Sequence, residues 1–399
     1  MSSEREALIL SAARTPIGRF QGALSSVSAA RLGAAVVRAV VQRAGVDAAD
    51  IEEVIMGSVV QAGQGQAPAR QASLWGGVPA SVGATTVNKV CGSSLKAAML
   101  AAQAVRAGDA DLLLAGGFES MSRAPYLVAG RSGELKFGHQ SLTDALLHDG
   151  LWDPFENWGM GLAAEFIADE FGVTRDAMDK YALESHQKAV AAQEAGKFSE
   201  EIVAVQVAGR KGEPLPVELD EGPRRESTLE SLSRLKPSFK PDGKVTAGNS
   251  STMNDGAAAL VVASQGYAQA RQLKPLARIA GYAQAAVEPK YLFAAPAHAL
   301  PKLLKRIGWQ LSDIDLIEIN EAFAAQVLAD GLALADHGWD WKKVNVHGGA
   351  IALGHPLGAS GARVLTTLLY ALRDRGLKKG IATLCLGGGE AVAMAVEML

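Results

Sequence analysis

The sequence predicts an α/β protein made of two related halves with an insertion between them. Three observations carry that prediction. Strand-like apolar runs alternate with amphipathic helical stretches along the chain, one pattern of punctuation occurs twice, and the charge-dense sequence is concentrated between the two copies. At 399 residues the chain is also long for a single domain.

The first half opens with a short apolar run at 7–11. Residues 30–44 then place Leu32, Val36, Val40 and Val41 on one helical face, with Arg31, Arg38 and Gln42 mostly opposite. Residues 53–57 are apolar and β-rich, 85–90 are β-branched, and 94–107 are Ala-rich and helical. Residues 111–117, Asp-Leu-Leu-Leu-Ala-Gly-Gly, close the unit as a continuous apolar strand of the buried, parallel kind.

The plan then returns. Gly45-Val46-Asp47-Ala48-Ala49-Asp50-Ile51 matches Gly308-Trp309-Gln310-Leu311-Ser312-Asp313-Ile314, with equal spacing from Gly to Asp-Ile. Each copy runs into a buried strand, 54–56 or 316–319. At matching distances beyond comes a Gly-rich turn that opens an Ala-rich helix, Cys91-Gly92-Ser93-Ser94 or His355-Pro356-Leu357-Gly358. Each helix leads to a strand ending in glycines, Gly116-Gly117 or Gly387-Gly388-Gly389. Four coincidences in register describe a duplicated α/β unit. The domains expected are residues 1–119 with 249–271, an inserted loop domain at 120–248, and 272–399.

The insertion carries Arg210, Lys211, Arg224, Arg225, Arg234, Lys236, Lys240 and Lys244, interleaved with Glu213, Asp220, Glu221 and Glu230. It reads either as a solvated excursion or as a lid contacting an anionic ligand. Composition narrows the classes. Hydrophobic residues make up 48% and charged residues 20%, enough for a sizeable core and incompatible with disorder. A net charge of -3, from 39 basic and 42 acidic residues, lacks the concentrated basic face a nucleic-acid binder needs. Acids stand in the N-terminal residues where a secretory leader needs bases, and uncharged stretches such as 344–362 are broken by Gly, His and Pro. A soluble, cytoplasmic protein with no membrane span is expected. Two cysteines are too few for a disulfide framework or a typical structural zinc site, so no metal is expected.

Those two cysteines sit at equivalent turns of the repeat. Cys91 precedes a helix whose unsatisfied N–H groups and positive dipole end would stabilise a thiolate. Cys385 lies in Leu384-Cys385-Leu386-Gly387-Gly388-Gly389, where small residues expose backbone N–H groups. A single cysteine is as readily a small buried hydrophobe, but the paired placement favours chemistry. His355, at the turn corresponding to Cys91, is the candidate base. His347 is expected to order its loop by a hydrogen bond, and His139, His148, His186, His298 and His337 are expected on the surface. Asn320, at the end of an apolar strand, can hold a water or polarise a carbonyl, although Asn-Glu there also suits a helix start.

Asn88-Lys89-Val90-Cys91-Gly92-Ser93-Ser94, Asn320-Glu321-Ala322-Phe323-Ala324, Gly348-Gly349-Ala350-Ile351-Ala352-Leu353-Gly354-His355-Pro356 and Cys385-Leu386-Gly387-Gly388-Gly389 resemble the four signature blocks of the thiolases, in the family's order. The resemblance begins at Ala12-Ala13-Arg14-Thr15-Pro16 and covers essentially the whole chain. It implies a five-layered αβαβα core of two duplicated halves with an inserted loop domain. It also implies that Cys91 is the acylated nucleophile, His355 the base and Cys385 the second acid/base. Asn320 would hold a water at the enolate oxygen, and Gly387 would supply an N–H to the acyl-thioester oxygen. Coenzyme A and acetyl-CoA would be substrates, with no cofactor required. Ala247 and Ser251 resemble the pantetheine-binding stretch, Arg224, Ser231 and Phe239 the loop-domain positions at the adenine end, and Leu151, Met160, Ala322 and Phe323 pocket positions.

Two positions depart from the family pattern. Gly159 stands before Met160-Gly161 where thiolases of the acetoacetyl-CoA type often have His, and His347 stands where Asn is usual. Acetyl-CoA acetyltransferase is the favoured activity. A broader 3-ketoacyl-CoA thiolase and a 3-oxoadipyl-CoA thiolase are the alternatives within the family. A ketoacyl-synthase-type enzyme would lack a counterpart of Cys385, and a non-catalytic acyl-CoA-binding protein would have lost Cys91 or His355. The resemblance further implies a homotetramer or homodimer, with 127–138 as a tetramer contact.

Overall fold

A computed structural model describes residues 3–128, 130, 133, 138–209 and 212–399. Arg210 and Lys211, and most of the 129–137 part of the expected tetramer contact, lie outside the described residues.

The first half contributes β1 (Ala7–Arg14), α1 (Ala29–Ala44), β2 (Glu53–Gly57), β3 (Gly83–Val87), α2 (Ser93–Ala107) and β4 (Leu112–Ser120). The chain then leaves the sheet for the insertion, which includes α3 (Met160–Glu170) and α4 (Arg175–Glu194), and returns in β5 (Asn254–Ser264). The second half contributes β6 (Ala277–Ala286), α5 (Pro296–Ile307), β7 (Leu316–Ile319), α6 (Ala324–Ala333), α7 (Ser360–Arg375), β8 (Lys379–Leu386) and β9 (Glu390–Met398).

The duplication is visible strand by strand. In the first half β2 is parallel to both β3 and β4, β4 is antiparallel to β5, and β5 is antiparallel to β1. In the second, β7 is parallel to β8, β8 antiparallel to β9, and β9 antiparallel to β6. The place of β3 is taken by a single parallel bridge from Ile317 to Val344. Even the irregularities correspond, since the register shifts after Ile9 in β1 and after Ile279 in β6. A short antiparallel ladder, Leu8 with Arg278 and Ile9 with Ala277, joins the two sheets into one surface.

Helices α2 and α7 pack against each other between the sheets, sharing a core of Leu95, Ala98, Met99, Leu365 and Leu368 with Leu384 and Leu386 of β8. Helix α1 covers the outer face of the first sheet, and α5 and α6 the outer face of the second. The order is therefore helix, sheet, paired helices, sheet, helix. Strands covered on both faces have no polar side to show, which is why β1, β4 and β5 are buried throughout and read as unbroken apolar runs. Close approach at the centre requires glycine: a Cβ on Gly361 would lie 2.4 Å from the backbone N of Leu95, and one on Gly117 2.1 Å from the carbonyl oxygen of Gly358.

The insertion is clasped to the end of β1 by Arg14. Its Nε donates to Glu201 Oε1 at 2.6 Å, and Nη1 and Nη2 donate to the two oxygens of Asp220 at 2.7 and 2.9 Å, all buried. Such an arrangement satisfies the desolvated charge from both sides. Among the described residues no helix is long and apolar enough to cross a membrane.

Candidate active site

Cys91 is positioned by a tight turn between β3 and α2. Asn88 Oδ1 accepts from the N–H of Val90 at 3.0 Å, Ser93 Oγ accepts from the N–H of Lys89 at 2.9 Å and donates to Val90 O at 2.6 Å, and the Lys89 ammonium pairs with Glu390 at 2.6 Å. These bonds hold Val90 at φ 45°, a region that costs a β-branched residue about 1–3 kcal/mol. The N–H groups of Cys91 and Gly387 both point at the Cys91 sulfur.

His355 enters from the corresponding turn before α7. Its N–H donates to Asn254 Oδ1 at 2.9 Å, and its Nδ1 lies 2.6 Å from Ser360 Oγ. The Ser360 hydroxyl donates to Pro356 O at 2.8 Å, so it accepts from the ring. Nδ1 therefore carries the proton, and the lone pair is on Nε2. Asn320, fully buried at the end of β7, donates its N–H to Thr383 O at 3.0 Å and sets its Nδ2 3.5 Å from both ring nitrogens. Cys385, at the end of β8, is 2% exposed; β8 is the counterpart of β4, so the two cysteines do not sit at the equivalent turns expected, and it is His355 that matches Cys91.

Cys91, His355, Cys385 and Gly387 line one cavity of about 710 Å³. Leu151, Met160, Arg224 and Phe239 reach it from the insertion, and Ala247, Ser251, Ala322 and Phe323 from the segments beside the sheets. The segments that carry Ser251 and Ala322 are stitched together, with Ser251 N–H donating to Ala322 O at 3.0 Å and Ala324 N–H to Asn249 O at 2.9 Å. Phe323 meets Phe293 edge-on at 5.2 Å and Phe239 at 6.2 Å. Asn320 stands behind His355 rather than in the lining. Ser231 is not brought to the cavity: its hydroxyl closes the capping box of the short helix Leu229–Ser233 and is exposed.

The expected resting thiolate is not what the surroundings favour. Burial pushes the Cys91 thiol up to about 12, outweighing the two N–H groups that pull it down. Burial, then the guanidinium of Arg363, push His355 down to about 3. Burial and the neighbouring Cys91 hold Cys385 well above the usual thiol range. The site at rest is thus a neutral thiol, a neutral imidazole and a second neutral thiol.

Other expectations need adjustment. His186 is buried, not on the surface, because its Nδ1 accepts the N–H of Arg224 at 3.3 Å beneath the insertion. His347 packs edge-on against Phe198 at 6.0 Å between ring centres. Glu321, which the sequence reading left without a role, is a buried anchor. It accepts from Tyr181 O–H at 3.0 Å, Ser185 O–H at 2.7 Å, Asn345 Nδ2 at 2.9 Å and Ile351 N–H at 3.0 Å. Ser360 was also missed. Its signal was its place four residues after Pro356, at the start of the helix that the His355 turn opens, whereas nothing in the sequence marks Asn254.

Family models match the chain almost end to end. "Thiolase, N-terminal domain" covers residues 7–266 and "Thiolase, C-terminal domain" residues 273–398. An acetyl-CoA acetyltransferase of Pseudomonas aeruginosa is 52% identical over 390 residues, covering 98% of each chain. One of Cupriavidus necator is 52% identical over 392 residues, 98% of this chain and 99% of that relative. The crystal structure of the Bacillus anthracis acetyl-CoA acetyltransferase superposes with a TM-score of 0.95 at 41% identity, covering 99% of both chains. With its duplicated αβαβα core and its two cysteines and histidine around one cavity, the chain belongs to the thiolase family.

Proposed function

We propose that this thiolase is an acetyl-CoA C-acetyltransferase, joining two acetyl-CoA molecules to acetoacetyl-CoA and free CoA and running the reverse thiolysis. The observation that carries the proposal is the convergence of Cys91, His355 and Cys385 on one cavity, with the N–H groups of Cys91 and Gly387 trained on the Cys91 sulfur. In thiolysis His355 Nε2 takes the Cys91 proton and the sulfur attacks the 3-keto carbon. The bond between C2 and C3 breaks, leaving the acyl group on Cys91 while the acetyl-CoA enolate takes a proton from Cys385. The enolate oxygen is met by the imidazolium N–H and by the side of the site held by Asn320. CoA then gives its thiol proton to the Cys385 thiolate and attacks the acyl-thioester, whose oxygen lies between the N–H groups of Cys91 and Gly387; the Cys91 thiolate that leaves takes back its proton from His355.

CoA acts here as a substrate, and the chemistry requires no cofactor. The names of the relatives support the acetyl assignment. Residues 120–248 would act as the loop domain over the CoA, between a first half of 1–119 with 249–271 and a second half of 272–399. A cytoplasmic homotetramer or homodimer completes the proposal. CoA-dependent cleavage of 3-ketoacyl-CoA thioesters from about four to about sixteen carbons tests it, because one methylene changes binding by only about 1–3 kcal/mol. Activity confined to acetoacetyl-CoA supports the proposal. Equal or better cleavage of long chains, with Cys91→Ala inert, assigns a broader 3-ketoacyl-CoA thiolase instead.

A further inference from the structure

Among the described residues two arginines are buried, and they are held in opposite ways. Arg14 spends Nε, Nη1 and Nη2 on two carboxylates, which is how a purely structural buried arginine is satisfied. Arg363, 1% exposed, is not satisfied in this manner. Its nearest carboxylate oxygen, Glu318 Oε2, is 3.9 Å from Nη1, and among the described residues neither of those atoms nor Arg363 Nε has a hydrogen-bond partner. Its remaining contact is Nη2 to Asn320 Oδ1 at 3.5 Å. Arg363 sits on the first turn of α7, three residues after Ser360, so the two share a helix face and that face looks toward Asn320 and His355.

A carboxamide has two nearly isosteric orientations, and a donor-only neighbour selects one of them. With Arg363 beside Oδ1, Nδ2 is turned toward His355, 3.5 Å from both ring nitrogens. Flipped, the same side chain would turn its acceptor oxygen toward His355 and its donor toward the guanidinium. Charge adds a second effect. Burial pushes the Glu318 carboxyl up to about 8, against the pull of the Arg363 guanidinium. Among the described residues Arg363 is the charge that acts on the His355 ring, while Glu318, Arg14, Glu201 and Glu321 act on Arg363 itself. A cation behind the ring disfavours imidazolium and keeps His355 a proton acceptor until Cys91 delivers its proton.

We propose that Arg363 is a positioning residue of the reaction: it fixes the Asn320 carboxamide with its donor toward His355. The proposal rests on the roles assigned above to Cys91, His355 and Asn320.

The test compares full-length Arg363→Gln, Arg363→Lys, Asn320→Ala and the double variant Asn320→Ala/Arg363→Gln in acetoacetyl-CoA thiolysis. CoA binding and a thermal melt serve as controls. Arg363→Gln is expected to lower kcat by about tenfold or more with KM within about threefold, and to move the acid limb of the kcat profile to higher pH. Arg363→Lys keeps the charge but not the fork, so it should lose kcat with the acid limb unmoved. The double variant should be no slower than Asn320→Ala beyond about twofold. Losses that multiply in the double variant, or wild-type kcat in Arg363→Gln or Arg363→Lys with CoA binding intact, overturn the proposal. If Arg363→Gln does not fold, Arg363→Lys decides alone, through kcat. Retained activity in Cys91→Ala would instead overturn the site assignment on which the proposal rests.

Discussion

Cys91 and His355 occupy the same position in the two halves of the molecule. Each closes the turn that opens one of the paired central helices, α2 and α7, and those helices pack against each other between the sheets. A thiol from one copy and an imidazole from the other therefore meet at one end of a single helix pair, in a common cavity. Neither half alone holds both the proposed nucleophile and the proposed base.

Free Cys91 should react slowly at neutral pH. A thiol raised to about 12 is deprotonated less at pH 7 than ordinary cysteine, and the thiolate fraction rises about tenfold per unit until that value. Iodoacetamide inactivation followed from about pH 6 to about pH 10 should climb throughout, without substrate present. A plateau near neutrality would mean that the thiolate–imidazolium pair already exists at rest.

Cys385→Ser should divide the reaction. Acetylation of Cys91 by acetyl-CoA, read by mass spectrometry of intact protein, should persist, while thiolysis of acetoacetyl-CoA falls by about 10²–10⁴. Loss of acetylation to the same degree would place Cys385 in both steps.

Ser360→Ala removes the acceptor that keeps the proton on Nδ1 of His355. The ring would then be free to turn or change tautomer, and kcat should drop by roughly tenfold, less than deletion of the base itself. An unchanged kcat would show that the ring is held without this hydroxyl.

Gly349→Ala should cost stability rather than chemistry. Its backbone is extended, so conformation is no obstacle, but a Cβ would lie 2.3 Å from the Glu321 carboxyl carbon. Four donors fix that carboxylate, and the clash should cost roughly 1–3 kcal/mol and lower the unfolding midpoint by a few degrees. Calorimetry showing no change would mean that the anchor yields without loss.

The duplicated core was legible because its signals are local. Strands buried on both faces leave unbroken apolar runs, and helices packed at a close central contact are written in alanine and glycine, as residues 94–107 show. Cys91, His355 and Cys385 were legible for the same reason, since each sits in a Gly-rich turn at a strand or helix end. What the sequence does not show is compensation across distance. The strain at Val90 runs against the residue's own preference and is held by Asn88 and Ser93. Burial overturned the helix-end argument for a thiolate because neither desolvation nor the charge of Arg363 has a local signature. His186 and Ser231 were misplaced by the insertion, whose path is set by contacts such as the Arg14 clasp rather than by any repeating pattern.

The place of β1 has a consequence for biosynthesis. β1 is made before every other strand described above and lies at the seam of the finished sheet, with β5 on one edge and β6 on the other. Both neighbours are encoded more than half a chain later, after the whole insertion, so the two edges of β1 cannot both be paired until Ala277 and Arg278 have been made. Until then an eight-residue apolar ribbon waits with bare backbone on two sides. Translation must outrun misassociation of that ribbon, and ribosomes stalled inside the insertion would release the species most prone to aggregate.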